Sequence, residues 1–218
     1  MTSIGHTTAQ HAFHIVKDGP WFVMQCRRRA ARPSPRVALP PPHHEHSYYT
    51  ECEGGGCTVD RLVIAHPEVH DGVFRELDVP NLRELKLYET RAVSWQGHTC
   101  LFSKCPLLQS VSVGDDVLSN VSIFTLATNC TCLEHLSLGD HCAERVTDFA
   151  IFSLARLCTR LHTLHIGTCE GISASALVHL VRQCPSLRNL RLHDERMYTR
   201  DLIQTKVEVV VVTRSVSH

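Results

Sequence analysis

Between Cys130 and Leu192 one phrase is written three times. Cys130-Thr-Cys-Leu133-Glu-His-Leu136-Ser-Leu138 is followed by Cys158-Thr-Arg-Leu161-His-Thr-Leu164-His-Ile166, and then by Cys184-Pro-Ser-Leu187-Arg-Asn-Leu190-Arg-Leu192. A copy with looser apolar residues precedes them at Cys105-Pro-Leu-Leu108-Gln-Ser-Val111-Ser-Val113. From the cysteine to the last apolar residue the spacing is eight in every copy, and from Ser94, Ser119, Thr147 or Ser173 to the following cysteine it is eleven. A fixed period of this kind constrains the fold strongly. Each unit is one supersecondary element that buries its apolar side only against its neighbours, so the chain must stack.

Two periodicities alternate within a unit. Ile123, Leu126, Ala127 and Cys130 fall at i, i+3, i+4 and i+7, as do Ile151, Leu154, Ala155 and Cys158, and Leu177, Leu180, Val181 and Cys184. That is one buried stripe of a helix, and the Ser or Thr ahead of it is predicted to be the N-cap, its oxygen accepting from a free first-turn amide. After the cysteine the pattern turns to alternation, as in Leu136 and Leu138 between His135 and Ser137, which predicts a strand with one face inward. Only the span from strand end to Ser or Thr varies, so the surface loop lies there. The pattern is that of a leucine-rich repeat. The predicted fold class is α/β, a leucine-rich-repeat solenoid with a curved parallel sheet and outer helices.

The spacing of eight continues upstream in Val79-Pro-Asn-Leu82-Arg-Glu-Leu85-Lys-Leu87 and in Gly56-Cys-Thr-Val59-Asp-Arg-Leu62-Val-Ile64. Pro67 and Gly72 interrupt the link between these two, so its helix is expected to be degenerate. Six strands are predicted from 59 to 192. Beyond them Thr199, Leu202 and Ile203 predict a short helix, and Val207-Glu-Val-Val-Val-Val212 a capping strand. The repeat domain is placed at 56–218.

Residues 1–55 stand apart from the repeats. An Asp18-Gly19 turn between two apolar runs predicts a hairpin over 13–26, which is marginal in water unless it leans on something. Arg27 to Arg36 and Pro40-Pro41-Pro42 are too rich in Arg and Pro to bury a core and read as a basic linker. His43, His44, His46, Cys52 and Cys57 resemble metal-ligand material but lack regular zinc spacing.

Net charge is zero with 22 basic and 22 acidic residues, so no nucleic-acid surface is implied. No apolar run reaches the length of a membrane span, and no secretory signal is read at the amino terminus. Eleven cysteines, an odd number that recurs at one repeat position, read as reduced and buried, which places the expected compartment in the cytosol or nucleus. No nucleophile elbow, phosphate loop or acid pair is recognisable, so neither an enzyme nor a cofactor is expected.

With the cysteines, caps and second cysteines in view, the array resembles the cysteine-containing leucine-rich repeats of F-box proteins, CxxLxxLxLxxCxxITDxxLxxLA. Here Cys130, Leu133, Leu136, Leu138, Cys142 after a one-residue slip, Val146-Thr147-Asp148, Ile151, Leu154 and Ala155 follow it. Cys158, Leu161, Leu164, Ile166, Cys169, Ile172-Ser173, Leu177 and Leu180 follow it again. The resemblance implies substrate recognition for a cullin-RING ubiquitin ligase, with repeats holding the substrate and an F-box holding the adaptor. No F-box is readable in residues 1–55. The alternative is a stand-alone scaffold or assembly factor, similar to antagonist-of-mitotic-exit proteins.

Strand residues that alternate with the core line the concave face. They are Arg61; Glu84, Lys86 and Tyr88; Ser110 and Ser112; His135 and Ser137; Thr163 and His165; and Asn189, Arg191 and His193. These are the candidate partner-binding residues, with Tyr88 and Arg191 as anchors because Tyr and Arg dominate hot spots. Glu89, Asp115, Asp140 and Asp194 follow the strands as an acidic rim. His135, His165 and His193 step diagonally through different columns and read as surface histidines rather than a converging metal set.

Overall fold

Strand and helix alternate along the array as the two periodicities require. The computed structural model describes residues 11–14, 21–28, 57–65, 67, 69–114, 118–139, 145–168, 170–193 and 199–211, with side-chain surroundings from residue 59. The strands are β1 (His11–His14), β2 (Trp21–Arg28), β3 (Cys57–Ala65), β4 (Glu84–Tyr88), β5 (Ser110–Val113), β6 (His135–Leu138), β7 (Thr163–Ile166), β8 (Asn189–Leu192) and β9 (Glu208–Val211). The helices are α1 (Asp71–Glu76), α2 (Trp95–Ser103), α3 (Asn120–Asn129), α4 (Asp148–Leu157), α5 (Ala174–Gln183) and α6 (Arg200–Ile203). Among the described residues the nine strands form one sheet in chain order. From β3 to β9 every pairing is parallel.

The six strands expected between 59 and 192 are β3 to β8, and the expected capping strand is β9, which continues the sheet. The helix expected to be degenerate is α1, a helix of 6 residues. At the other end β1 and β2 are antiparallel, and β2 runs along β3 with Trp21 opposite Ala65. The hairpin strands thus lean on the first strand of the array. Arg27 and Arg28, read as the start of the basic linker, instead end β2 opposite Thr58 and Cys57, because the pairing with β3 continues through them. The Asp18-Gly19 turn, the rest of that linker, the histidines at 43–46 and Cys142 and Cys169 lie outside the described residues.

In-register pairing turns the repeat into two buried rows. Leu62, Leu85, Val111, Leu136, Leu164 and Leu190 form one, and Ile64, Leu87, Val113, Leu138, Ile166 and Leu192 the other, all buried. Leu101, Leu126, Leu154 and Leu180 meet them from the helices. Each such side chain contributes about 1.5–3 kcal/mol on full burial, and a shift of one residue would expose a whole row.

The repeated cysteine has a use beyond filling space. The Sγ of Cys130 lies 3.2 Å from the carbonyl of Cys105, and that of Cys184 lies 3.3 Å from the carbonyl of Cys158. Each thiol therefore donates to the end of the preceding helix, where carbonyls lack intrahelical partners. Burial pushes the thiols of Cys105, Cys130 and Cys158 up to about 12. At neutral pH they are unreactive thiols.

Capping follows the expected positions but not always the expected bond. Ser94, Ser119 and Ser173 accept from the amides of Gln96, Ser122 and Ala176 at 3.1, 3.3 and 3.2 Å. Thr147 and Thr199 occupy the N-cap position without a side-chain capping bond, which corrects the reading of Thr147. A further contact joins successive helices. The first residue of one helix reaches the cap of the next: Asp71 accepts from the amide and hydroxyl of Ser94 at 2.7 and 2.5 Å, and Asp148 does so from Ser173 at 2.6 and 2.7 Å. Asn120 does the same for Thr147, its Oδ1 accepting from the amide and its Nδ2 donating to the hydroxyl, both at 2.9 Å. Thr147 has turned its oxygen toward this neighbour.

The ladder is interrupted at Trp95, which begins α2 ahead of Ser119, and again at the carboxyl end. Ala174 begins α5, and the hydroxyl of Thr199 is buried without a partner. Replacing Ala174 with Asp should therefore supply an acceptor to Thr199 and a favourable charge at a helix amino terminus. We expect a gain of about 1–2 kcal/mol, read as a raised denaturation midpoint. An unchanged midpoint would show that the ladder does not stabilise the array.

Candidate functional site

The face away from the helices is set by the same register that builds the core. One row runs Arg61, Glu84, Ser110, His135, Thr163, Asn189, and the next runs Val63, Lys86, Ser112, Ser137, His165, Arg191. A third row, at or just past the strand ends, holds Ala65, Tyr88, Gly114, Gly139, Gly167 and His193. Tyr88 and His193 stand four strand steps apart, or about 19 Å. Between them the floor is backbone.

The glycines on that floor are dictated by crowding. A Cβ on Gly114 would lie 2.8 Å from Cδ1 of Tyr88, so the bare backbone lets the tyrosine ring settle there. A Cβ on Gly139 would lie 1.8 Å from the carbonyl oxygen of Gly114. Tyr88 keeps 38% of its surface exposed, and Arg191 is also exposed at the far end. Both expected anchors are therefore presented to solvent. At the amino-terminal end Glu84 joins Arg61 at 3.3 Å and Lys86 at 3.2 Å. Half-exposed pairs like these fix side-chain positions more than they stabilise the fold.

The diagonal histidines behave differently from their sequence reading. His165 and His193 converge, their Nε2 atoms 3.0 Å apart, and Nδ1 of His165 lies 3.0 Å from the Oγ of Ser137. Diagonal neighbours on adjacent strands are close enough for rings of this length to bridge two columns. His135 takes no part and instead lies near His162, with ring centroids 6.5 Å apart. Of the acidic rim only Glu89 is described, and it holds a left-handed φ of 56°. Asp115, Asp140 and Asp194 lie outside the described residues.

Two features escaped the sequence reading. The first is a set of exposed apolar side chains on the helices: Trp95 on α2, Val121 and Phe124 on α3, and Phe149 and Phe152 on α4. Phe124 and Phe149 approach across neighbouring helices at 6.1 Å, and Phe152 meets His179 edge-on at 5.2 Å. Their signal was an apolar residue beside the buried stripe rather than on it. The second is His98, which fills the slot that Ile123, Ile151 and Leu177 fill elsewhere. It is fully buried between Phe74 and Phe102, and neither ring nitrogen has a hydrogen-bond partner. Burial lowers its pKa to about 4.

Repeats stacked in this way, with helices on one side of a parallel sheet and an open strand face on the other, define a leucine-rich-repeat solenoid. The chain is similar to F-box/LRR-repeat protein 4 of Bos taurus, with 27% identity over 113 residues. The matched stretch covers 52% of this chain and 18% of that protein. No family model matches the chain. Among the described residues no helix is long and apolar enough to cross a membrane.

Proposed function

We propose that the strand face captures a protein and that the module recognises substrates for a cullin-RING ubiquitin ligase. The observation that carries this reading is the similarity to an F-box/LRR-repeat protein in a chain whose strand face is open, floored by glycine and bounded by exposed Tyr88 and Arg191. Small residues in the middle let a partner approach the sheet closely, while the ends supply the residue types that carry binding energy at interfaces. The role is recognition rather than catalysis, without a cofactor. The buried free cysteines favour a reducing compartment, cytosol or nucleus.

Affinity capture of the tagged chain from cells, with the cullin adaptor sought among the partners, tests both halves of the proposal. Recovery of the adaptor supports the ligase role. Its absence, with other proteins recovered, would leave a scaffold and end the ubiquitin reading. Replacing Tyr88 and Arg191 together with alanine is expected to reduce partner recovery at least tenfold, since hot-spot truncations cost about 2 kcal/mol or more each. The double variant should still melt as a folded array, since neither side chain belongs to the buried core. Undiminished recovery would exclude the strand face as the recognition surface.

A further inference from the structure

We infer that His165 and His193 form a site for a divalent transition-metal ion of the zinc type on the strand face, with Ser137 orienting His165. The proposal is independent of which protein the face captures. It rests on how the two rings approach. Their Nε2 atoms are 3.0 Å apart and their centroids 4.7 Å apart, with an interplanar angle of 60°. A proton shared along both ring axes would hold the centroids about 5.3 Å apart, the contact plus two ring radii. The observed centroids are closer, so the lone-pair axes do not point at one another. The 3.0 Å between the nitrogens is within about 0.3 Å of the separation of two imidazole nitrogens bound to one tetrahedral zinc ion at about 2.0–2.1 Å each.

Ser137 supplies the tautomer that such a site needs. Its Oγ can accept from Nδ1–H of His165, which leaves the lone pair on Nε2 for the ion, in the manner of the second-sphere partners that orient metal-bound histidines. Imidazole suits zinc, copper and nickel, whereas calcium and magnesium require oxygen donors. Among the described residues no third His, Cys, Asp or Glu joins the pair. Within the described residues the ion is held by two side chains and is exchangeable. Arg191 pairs in register with His165, and its charge further weakens cation binding.

The test is titration of the full chain with zinc chloride against a chromophoric chelator, in wild type and in single variants. Because the chain has 11 cysteines, the readout is the difference between variants. His165→Asn and His193→Asn should each lose one zinc equivalent, while Ser137→Ala should weaken it about tenfold and His135→Asn should leave it intact. Equal stoichiometry and affinity in wild type, His165→Asn and His193→Asn would overturn the site. Should either variant fail to melt like wild type, imidazole NMR of the wild-type chain decides. Selective movement of the His165 and His193 signals with one added equivalent supports the site, and unmoved signals reduce the contact to an ordinary histidine pair.

Discussion

Replacing Gly139 with alanine is expected to destabilise the array by about 3 kcal/mol or more, which lowers the thermal midpoint of a chain this size by roughly 10 °C. The added methyl would sit 1.8 Å from the carbonyl oxygen of Gly114, 2.5 Å from its carbonyl carbon and 2.8 Å from the carbonyl oxygen of Val113. All three obstacles are backbone, and all belong to the neighbouring repeat. Relief requires β5 and β6 to part, which breaks the parallel pairing on which both repeats depend. Gly72 provides the contrast, because a Cβ there meets only the ring of His70 at 2.7 and 3.0 Å. That ring caps α1 by accepting from the Gly72 amide at 3.1 Å, so moving it costs about 1 kcal/mol, which alanine's better helix propensity offsets, and Gly72→Ala should change stability by no more than about 1 kcal/mol. Thermal melts of the two variants check both statements. Equal effects would show that the close approach at Gly139 does not exist in solution.

Stability is also expected to fall steeply in mild acid, and His98 is the residue that makes it do so. In the unfolded chain this imidazole titrates near its ordinary value of 6.5, but in the folded protein burial depresses the value to about 4, partly opposed by the Ser94 backbone and the Asp71 carboxylate. Between these two values the unfolded state binds more protons than the folded state, so stability rises with pH. The stabilisation is complete above pH 6.5 and is lost as the pH falls toward 4. For a shift of this size the loss is about 3 kcal/mol. His98→Leu restores the aliphatic side chain that α3, α4 and α5 carry in the same slot. At neutral pH it should gain about 1–3 kcal/mol by removing a buried polar ring without partners. Near pH 4.5 the difference from wild type should widen by a further amount of about 2–3 kcal/mol. Urea unfolding of both proteins from pH 7.5 to 4.5 measures this directly. Parallel profiles would show that His98 is hydrated in the native state.

The helix caps illustrate where reading the sequence succeeds and where it stops. Ser94, Ser119, Thr147 and Ser173 were legible as caps because a helix start is a local event, governed by residues within one turn. The grip of Asp71 on Ser94 and of Asp148 on Ser173 was not. The partners are 23 and 25 residues apart, and the variable loop between repeats hides their regularity. The same distinction separates the two anchors from the histidine pair. Tyr88 and Arg191 follow from alternation along single strands. His165 and His193 meet only because two strands lie side by side and their rings cross between columns.

The sequence by itself determined that the chain repeats, that each repeat is one strand and one helix, and which residues alternate toward the core. Those properties depend on periods of 3.6 and 2 within a few residues, and the chain states them openly. Tertiary structure decided what happens between repeats. It forces glycine at position 139 through a neighbour's carbonyl, places His98 between two phenylalanines, and gathers Phe124, Phe149 and Phe152 on the outer helices. It also brings two imidazoles to 3.0 Å. Each of these depends on the distance between atoms that sequence spacing holds far apart, and packing alone sets that distance.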